Sequence, residues 1–338
     1  MEQKTALAHS PLEGINYHFD DYVKRKKEQL SAHMGGNGLP DYAYSMDYEY
    51  RKKLDSIPGL YKNLRRLLIP GIQQQYQTFN MNGVKASPTQ FSEIYQMGCD
   101  CARILGIGVP TILVVPSFPG GGEFNACSIC VDDQEPLIML TGLMVQRMTP
   151  GELKTIIGHE CGHTHNNHAI YQQAAEIIAN VGIRGLISVP ILSQIAGLLS
   201  TGTQVLLNMW SRAAETTADR AAMICSDSLE DAYSAQKKLI YGGANLSNNV
   251  DINLDIGELK KQLDVVNNSP YRYQELMLDH PISVRRVFAE MEFAKCETLY
   301  AWRPDLKTPG IRLQSRAMTD EACKKIIGVM KSKEGRSS

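Results

Sequence analysis

Residues 159–163 read His-Glu-Cys-Gly-His and have the side-chain types and spacing that can hold a metal ion. On a helix, His159 and His163 lie one turn apart on the same face, so both imidazole rings can bind one ion. Glu160 lies beside them, where its carboxylate can accept a proton from a water molecule that the metal polarises. The pentapeptide therefore predicts one Zn²⁺ per chain, with Glu160 as a general base.

The residues around the pentapeptide predict the helix that this chemistry needs. Residues 149–152 read Thr-Pro-Gly-Glu, a capping box in which Thr149 is the N-cap and proline occupies the first helical position. An apolar stripe then recurs at helical spacing, namely Leu153, Ile157 and Cys161. We expect this stripe to face the core and the two histidines of the pentapeptide to lie to one side of it.

A catalytic zinc site has three protein ligands and one open position, so a third ligand must come from another element. The alanine-rich residues 211–220 favour a helix on which Glu215 and Asp219 share one face. If Glu215 binds the metal, Asp219 can accept the remaining ring N–H of a ligand histidine and fix its orientation. The alternative is an ordinary exposed helix with two acidic side chains.

Three separated motifs resemble those of the HtpX-like zinc metallopeptidases. They are the pentapeptide at 159–163, the Ser-Arg-x-x-Glu-x-x-x-Asp segment at 211–219, and His280-Pro281 followed by Arg286. That family includes the bacterial HtpX heat-shock protease and the CAAX prenyl protease. The resemblance extends over residues 85–295, and neither the first 80 residues nor the last 35 share it.

The resemblance implies a gluzincin site with a role for each matching residue. His159, His163 and Glu215 would bind zinc, and Glu160 would act as general base. Asp219 would accept a hydrogen bond from the outer ring nitrogen of a ligand histidine. His165 and His168 also lie in this histidine-rich stretch. We expect both to lie outside the ligand set, because helical residues two apart point in different directions.

The sequence leaves more than one possible role for His280 and for Arg286. His280 could stabilise the oxyanion, swing onto the metal and block it, or simply cap a helix that begins at Pro281. Arg286 could hold the ligand helix through an ion pair, or lie at the surface.

The resemblance also implies an α+β fold of the zincin type, mostly helical with a small sheet. An edge strand would cover the pentapeptide helix and begin with Phe124, Asn125 and Ala126, continuing to Ile129. The next strand would follow at 136–140 and a further helix would start at Thr141. A polypeptide substrate would lie extended along the edge strand and add a strand to the sheet.

The chain divides into three predicted regions. Residues 1–80 form an N-terminal extension, which is a pro-segment, a recognition region or a helical appendage. Within it, Leu64, Leu67, Leu68 and Ile72 have roughly helical spacing that Pro70 interrupts. Residues 81–300 form the catalytic domain, and 301–338 form a C-terminal extension with a disordered tail at 331–338.

Composition and charge limit the partners and the compartment. The 338 residues carry a formal net charge of −1, which argues against electrostatic binding to nucleic acid. No signal peptide is recognisable at the N-terminus, and the eight cysteines are expected to be free thiols in a reducing compartment, so we expect a cytoplasmic protein. Oligomeric state is not indicated.

An uncharged interval raises the question of a membrane. Residues 185–211 carry no charge, but Ser, Thr, Gln, Asn and Pro interrupt the run, and a single span would separate His163 from Glu215. We expect helices that pack on the catalytic core, or a peripheral contact with a membrane surface through 185–210.

The leading hypothesis is a zinc-dependent endopeptidase that acts on polypeptides, with a role in protein quality control as in the relatives. The alternative is a latent or non-proteolytic zinc-binding, chaperone-like protein with an occluded site. A third hypothesis is a purely structural zinc site, which predicts four closed ligands.

Overall fold

The computed structural model describes residues 33–35, 38–118, 122–131, 135–186, 194, 200–243, 254–277 and 281–329. His280, the tail predicted at 331–338 and part of the uncharged interval, at 187–193 and 195–199, lie outside the described residues.

Four short strands form one sheet with the order β1-β2-β4-β3. They are β1 (Val84–Lys85), β2 (Thr111–Val115), β3 (Ala126–Ile129) and β4 (Leu137–Thr141). The two central strands, β2 and β4, run parallel, and each outer strand is antiparallel to its neighbour. Every residue of β4 is buried, whereas β3 lies at an edge. The predicted edge strand is therefore present, although it begins at Ala126 and not at Phe124.

Helices make up most of the described chain, so the architecture is mostly helical with a small sheet and is compatible with the α+β class. In chain order they are α1 (Ser45–Asp55), α2 (Leu60–Asn82), α3 (Ser92–Leu105), α4 (Gly142–Arg147), α5 (Pro150–His165), α6 (Ala169–Leu186), α7 (Thr201–Cys225), α8 (Leu229–Ile240), α9 (Ile256–Asn268), α10 (Ser283–Phe293), α11 (Glu297–Trp302) and α12 (Arg316–Ile327), with 3₁₀ segments at Pro270–Met277 and Pro304–Leu306.

Helix α5 carries the pentapeptide and begins as its sequence predicts. The Thr149 hydroxyl accepts the backbone N–H of Glu152 at 3.3 Å, and the Glu152 carboxylate accepts the backbone N–H of Thr149 at 2.7 Å. The apolar stripe is buried in the main hydrophobic core, and Cys161 is a core side chain within it. The capping box and the stripe together fix where the helix starts and which face it buries.

Helix α2 corrects one expectation. It runs without interruption from Leu60 to Asn82 and contains Pro70 in its interior. A proline inside a helix costs about 3 kcal/mol. Four apolar side chains spaced along one face are nevertheless buried, and each contributes roughly 1.5–3 kcal/mol, which outweighs the local penalty. They are Leu60, Leu64, Leu68 and Ile72.

Helix α1 and the segment that leads into it pack against helix α7. Tyr42 and Asp47 are fully buried, and α1 lies along α7. The divisions of the chain at residues 80 and 300 stay predictions. No helix in the described part of the chain is long and apolar enough to cross a membrane.

Candidate metal centre

Three side chains from two helices converge at one point. The Nε2 atoms of His159 and His163 on α5 lie 3.1 Å apart. The carboxylate of Glu215 on α7 lies 3.5 Å from the first and 3.4 Å from the second. In the described part of the chain, no other group of three or more His, Cys, Asp or Glu side chains converges in this way. The structure thus brings together the three residues that the sequence proposes as ligands.

The geometry of this cluster fits a zinc ion. Ligand atoms about 2.0–2.1 Å from a tetrahedral ion lie roughly 3.3 Å from one another. The two histidine nitrogens lie 3.1 Å apart, and each lies at a similar distance from one Glu215 oxygen, namely 3.5 Å from Oε2 for His159 and 3.4 Å from Oε1 for His163. Two imidazoles and one carboxylate are also a ligand set that catalytic zinc sites use.

The outer nitrogen of His159 is held by an acidic residue one helical turn beyond Glu215. His159 Nδ1 lies 3.0 Å from Asp219 Oδ1. Arg286 on α10 contacts the same carboxylate with two nitrogens, at 2.9 and 2.6 Å, and its Nη1 lies 3.4 Å from Glu215. The Arg286 side chain is only 12% exposed, so it belongs to this cluster and does not lie at the surface.

These contacts shift the pKa values of the groups involved. Burial acts to lower the pKa of His159, but its hydrogen bonds to Asp219 and Glu215 outweigh burial and raise the pKa to about 10. Burial acts to raise the pKa of Asp219, and the nearby Arg286 outweighs it, so the pKa lies below its usual value. A metal ion that binds His159 must therefore displace a proton from the ring.

The outer nitrogen of His163 has a different support, which the sequence did not reveal. His163 Nδ1 lies 2.9 Å from His168 Nδ1, and His168 Nε2 lies 3.0 Å from Asp47 Oδ2 on α1. Trp210 and Thr217 of α7 each donate to the Asp47 carboxylate, at 2.9 and 2.8 Å. Burial lowers the pKa of His168 to about 4, so this ring is neutral at pH 7.

Two glycines allow α5 and α7 to come close enough for their side chains to share an ion. A Cβ atom on Gly158 would lie 2.5 Å from the Cβ of Cys225, and one on Gly162 would lie 2.6 Å from the Cβ of Ala221. Real Cβ atoms do not approach this closely. Glycines four residues apart on the ligand helix are the sequence signal for this close approach.

Comparison with known proteins decides the family. The model of peptidase family M48 matches residues 88–291, which is more than half of the chain. The chain belongs to peptidase family M48. A curated relative, the plastoglobule-localized metallopeptidase 48, chloroplastic, of Arabidopsis thaliana, is 25% identical over 254 residues, which are 73% of this chain and 70% of the relative. No solved structure matches.

Membership of family M48 confirms the resemblance found in the sequence. The chain is a metallopeptidase, that is, a hydrolase that acts on polypeptides. Peptidases of family M48 depend on a metal ion, typically zinc, and the cluster of His159, His163 and Glu215 is where the described chain can hold one.

Glu160 of this M48 peptidase lies on α5 between the two histidines and is almost buried. Burial and the charge of Glu160 both raise the pKa of the Cys127 thiol on β3. Helix α5, which carries Glu160 and the two histidines, packs against this edge strand.

The edge strand presents main-chain groups on its outer side. Asn125 O accepts the N–H of Thr141 at 3.1 Å, so this opposed pair is hydrogen-bonded. Pairs alternate along an antiparallel ladder, so the main-chain groups of Ala126 and Ser128 point away from β4. The Asn125 side chain accepts the N–H of Ala126 at 2.9 Å. Phe124 was predicted to belong to the substrate strand, but it precedes β3. Its ring packs against Gly243, just after the end of α8.

The His-Pro segment is only partly described. His280 lies outside the described residues, so the structure does not place it. Helix α10 begins at Ser283 with Ile282 as its N-cap. The alternative in which a helix begins at Pro281 is therefore wrong, because the chain is still extended at Ile282, whose carbonyl accepts the N–H of Arg285 at 2.8 Å.

Proposed function

We propose that this chain is a zinc-dependent endopeptidase with a zincin-like fold. The observation that supports the proposal most is the convergence of two imidazole nitrogens and one carboxylate, separated by 3.1–3.5 Å. Each histidine has a hydrogen-bonding partner on its outer nitrogen, so its Nε2 is the atom available to a metal. His159, His163 and Glu215 would hold one zinc ion.

Bound zinc would supply a Lewis acid for the peptide carbonyl and for a water molecule. Glu160 would accept the proton from that water molecule and later deliver it to the leaving amine. The Glu160 side chain is almost buried, and the helix that carries it packs against β3, where the substrate would bind. Asp219 and Arg286 would hold His159 in place during this cycle.

A polypeptide substrate would bind in extended form along the outer side of β3. The carbonyl of Ala126 and both main-chain groups of Ser128 point outward and can pair with such a chain, whereas the N–H of Ala126 donates to the Asn125 side chain. Binding through main-chain atoms places few demands on side chains, so we expect the peptidase to accept many sequences if the substrate segment is unfolded.

We expect a role in protein quality control for two reasons. Main-chain recognition selects unfolded segments, and the resembling family includes the bacterial HtpX heat-shock protease. An unfolded substrate can supply an extended segment, whereas a folded protein keeps its strands paired. We expect unfolded casein to be cleaved and a folded protein of similar size to be left intact. Equal cleavage of a protein in its folded and unfolded forms would contradict this role.

The latent, chaperone-like alternative differs in one measurable way. If the fourth position on the metal is blocked, zinc binds but no peptide is cleaved. His280 stays a proposed oxyanion or blocking residue. Replacing it by alanine lowers turnover in the first role and raises turnover in the second, and unchanged turnover would remove His280 from the mechanism.

The ligand assignment is tested by a matched pair of variants. Glu215→Gln removes the charge of the third ligand, whereas Glu258→Gln removes the charge of an exposed residue on α9. We expect Glu215→Gln to lose both zinc and casein hydrolysis, and Glu258→Gln to retain both. Zinc content is measured by atomic absorption on the samples that are assayed. A Glu215→Gln protein with full zinc content and activity would contradict the proposal.

A further inference from the structure

A line of hydrogen bonds leads from the metal cluster to the N-terminal helix. It begins at His163, passes through His168 and ends at the carboxylate of Asp47, which is fully buried. Asp47 lies on α1, outside residues 88–291 that match family M48. The line therefore connects a ligand of the family's site to a part of this chain that the family model does not include.

The donors along this line determine where the protons lie. The indole of Trp210 can only donate, and it donates to Asp47 Oδ1, while Thr217 donates to Oδ2. Asp47 Oδ2 lies 3.0 Å from His168 Nε2 and accepts its N–H, and a His163 ring that binds zinc through Nε2 carries its one N–H on Nδ1, opposite His168 Nδ1. His163 must then donate its Nδ1–H, and the lone pair on its Nε2 faces the metal position.

The turn after the ligand helix is built so that His168 can reach back to His163. Asn167 adopts a left-handed conformation with φ 54°, and the His168 N–H donates to the His163 carbonyl at 3.2 Å. Arg51 of α1 donates to the carbonyls of Asn166 and Asn167 at 2.6 and 3.0 Å. Helix α1 thus supplies both Asp47 and the residue that holds this turn.

We propose that Asp47 and His168 are positioning residues that fix the orientation and the tautomer of the zinc ligand His163. The inference deepens the proposed function and rests on it, because it takes His163 to be a zinc ligand. In this proposal, helix α1 contributes to metal binding because Asp47 helps to orient His163. Outer partners of this kind typically change metal affinity about 10–100-fold when they are removed.

Asp47→Asn is the sharpest variant, because the structure determines how the new amide must lie. Trp210 requires an acceptor, so the amide oxygen faces the indole and the amide NH₂ faces His168. The Thr217 hydroxyl can rotate and accept. His168 Nε2 then becomes an acceptor, its Nδ1 carries the proton and donates to His163, and His163 is left with a proton on Nε2. We expect zinc affinity to fall about 10–100-fold.

A second pair of variants separates hydrogen bonding from packing. His168→Asn retains an acceptor near the position of the lost Nδ1, and His168→Leu has nearly the same volume without one. We expect His168→Leu to bind zinc about 10–100-fold more weakly than wild type. His168→Asn should recover most of that loss. If His168 only fills space, the two variants bind zinc equally.

Zinc affinity is measured by competition with a chromophoric chelator, and Asp320→Asn is the matched control. Asp320 is also a buried aspartate, but it pairs with Arg220 at 2.7 Å and has no contact with the histidine line. We expect this variant to bind zinc within about twofold of wild type although it is less stable.

The tautomers are read directly from ¹⁵N-labelled histidine in metal-free protein by long-range ¹H–¹⁵N NMR. Wild type should show Nδ1–H on His163 and Nε2–H on His168, and the opposite assignment overturns the inference even if every variant fails to fold. Zinc affinity within twofold of wild type in both Asp47→Asn and His168→Leu also overturns it. Wild-type protein that binds no zinc overturns the proposed function itself.

Discussion

Gly162 on α5 lies so close to Ala221 on α7 that a Cβ atom on Gly162 would be 2.6 Å from the Cβ of Ala221. The same added Cβ atom would lie 3.1 Å from the Cα atom of Ala218. Because these atoms belong to helix interiors, they cannot move aside without a shift of the whole helix. The short distance between α5 and α7 brings Glu215 close enough to the two histidines for the three side chains to hold the proposed metal ion.

The first prediction follows from this contact. Gly162→Ala should lower the free energy of unfolding by about 1–3 kcal/mol through overpacking and should weaken zinc binding by moving Glu215 away. Gly71→Ala on α2 is the control, because nothing lies within 4 Å of its new Cβ. There the same substitution should stabilise the protein by about 0.5–1 kcal/mol. Urea unfolding measures both, and a stabilised Gly162→Ala protein would contradict the close contact.

The second prediction concerns the start of the ligand helix and pH. Glu152 is buried, which acts to raise its pKa, but its bonds to Lys238, Ser234 and the Thr149 N–H outweigh burial and lower the pKa below 4.5. A carboxyl group with a lowered pKa contributes stability above the unfolded value, and this contribution is lost as pH falls below about 4.5. Glu152→Gln should therefore destabilise the protein at pH 7 and flatten this part of the pH dependence.

Thr149→Ala is the companion variant for this prediction. It removes the other half of the capping box and should cost about 1 kcal/mol at every pH, because no charge is lost. Unfolding in urea at pH 7 and at several values below 4.5 distinguishes the two variants. Parallel pH profiles for wild type and Glu152→Gln would show that the ion pair with Lys238 does not form.

The third prediction concerns the substrate strand. Ser128→Pro removes an N–H that points outward from β3, and prolines are tolerated at such edge positions. One lost hydrogen bond to the substrate is worth about 1 kcal/mol, so kcat/KM for an unfolded substrate should fall about fivefold. Zinc content should not change. Ser128→Ala retains the N–H and should retain activity, and a Ser128→Pro protein as active as Ser128→Ala would exclude strand pairing at this position.

The fourth prediction concerns metal removal. A ligand that binds only the folded state at 100 times its Kd stabilises it by about 2.7 kcal/mol. Chelation of zinc should therefore lower the free energy of unfolding of wild type by about this amount, and readdition of zinc should restore it. Glu215→Gln should show little response to zinc. An equal response in both proteins would mean that zinc stabilises the fold from another site.

Local patterns explain what the sequence revealed. The capping box at Thr149 and the stripe that includes Cys161 predict α5, because both depend on residues within one or two turns. Helical spacing also relates Glu215 to Asp219, and the structure has Asp219 beside His159. Strand β2 (Thr111–Val115) follows the same kind of local rule, because a short and mainly apolar run favours a buried strand.

Contacts between distant residues explain what the sequence did not reveal. Asp47 and His168 are 121 positions apart, and no local pattern relates an acid in the first 80 residues to a histidine after the ligand helix. The uninterrupted course of α2 through Pro70 depends likewise on tertiary burial of its apolar face, which local helix rules do not include.

The most direct test of the account compares wild type with Glu160→Gln in casein hydrolysis, with the zinc content of each sample determined in parallel. Glutamine has the same shape as glutamate but cannot accept the proton. We expect about one zinc per chain in both proteins, cleavage by wild type, and a loss of at least about 100-fold in the variant. A Glu160→Gln protein that contains zinc and cleaves casein at the wild-type rate would contradict the mechanism.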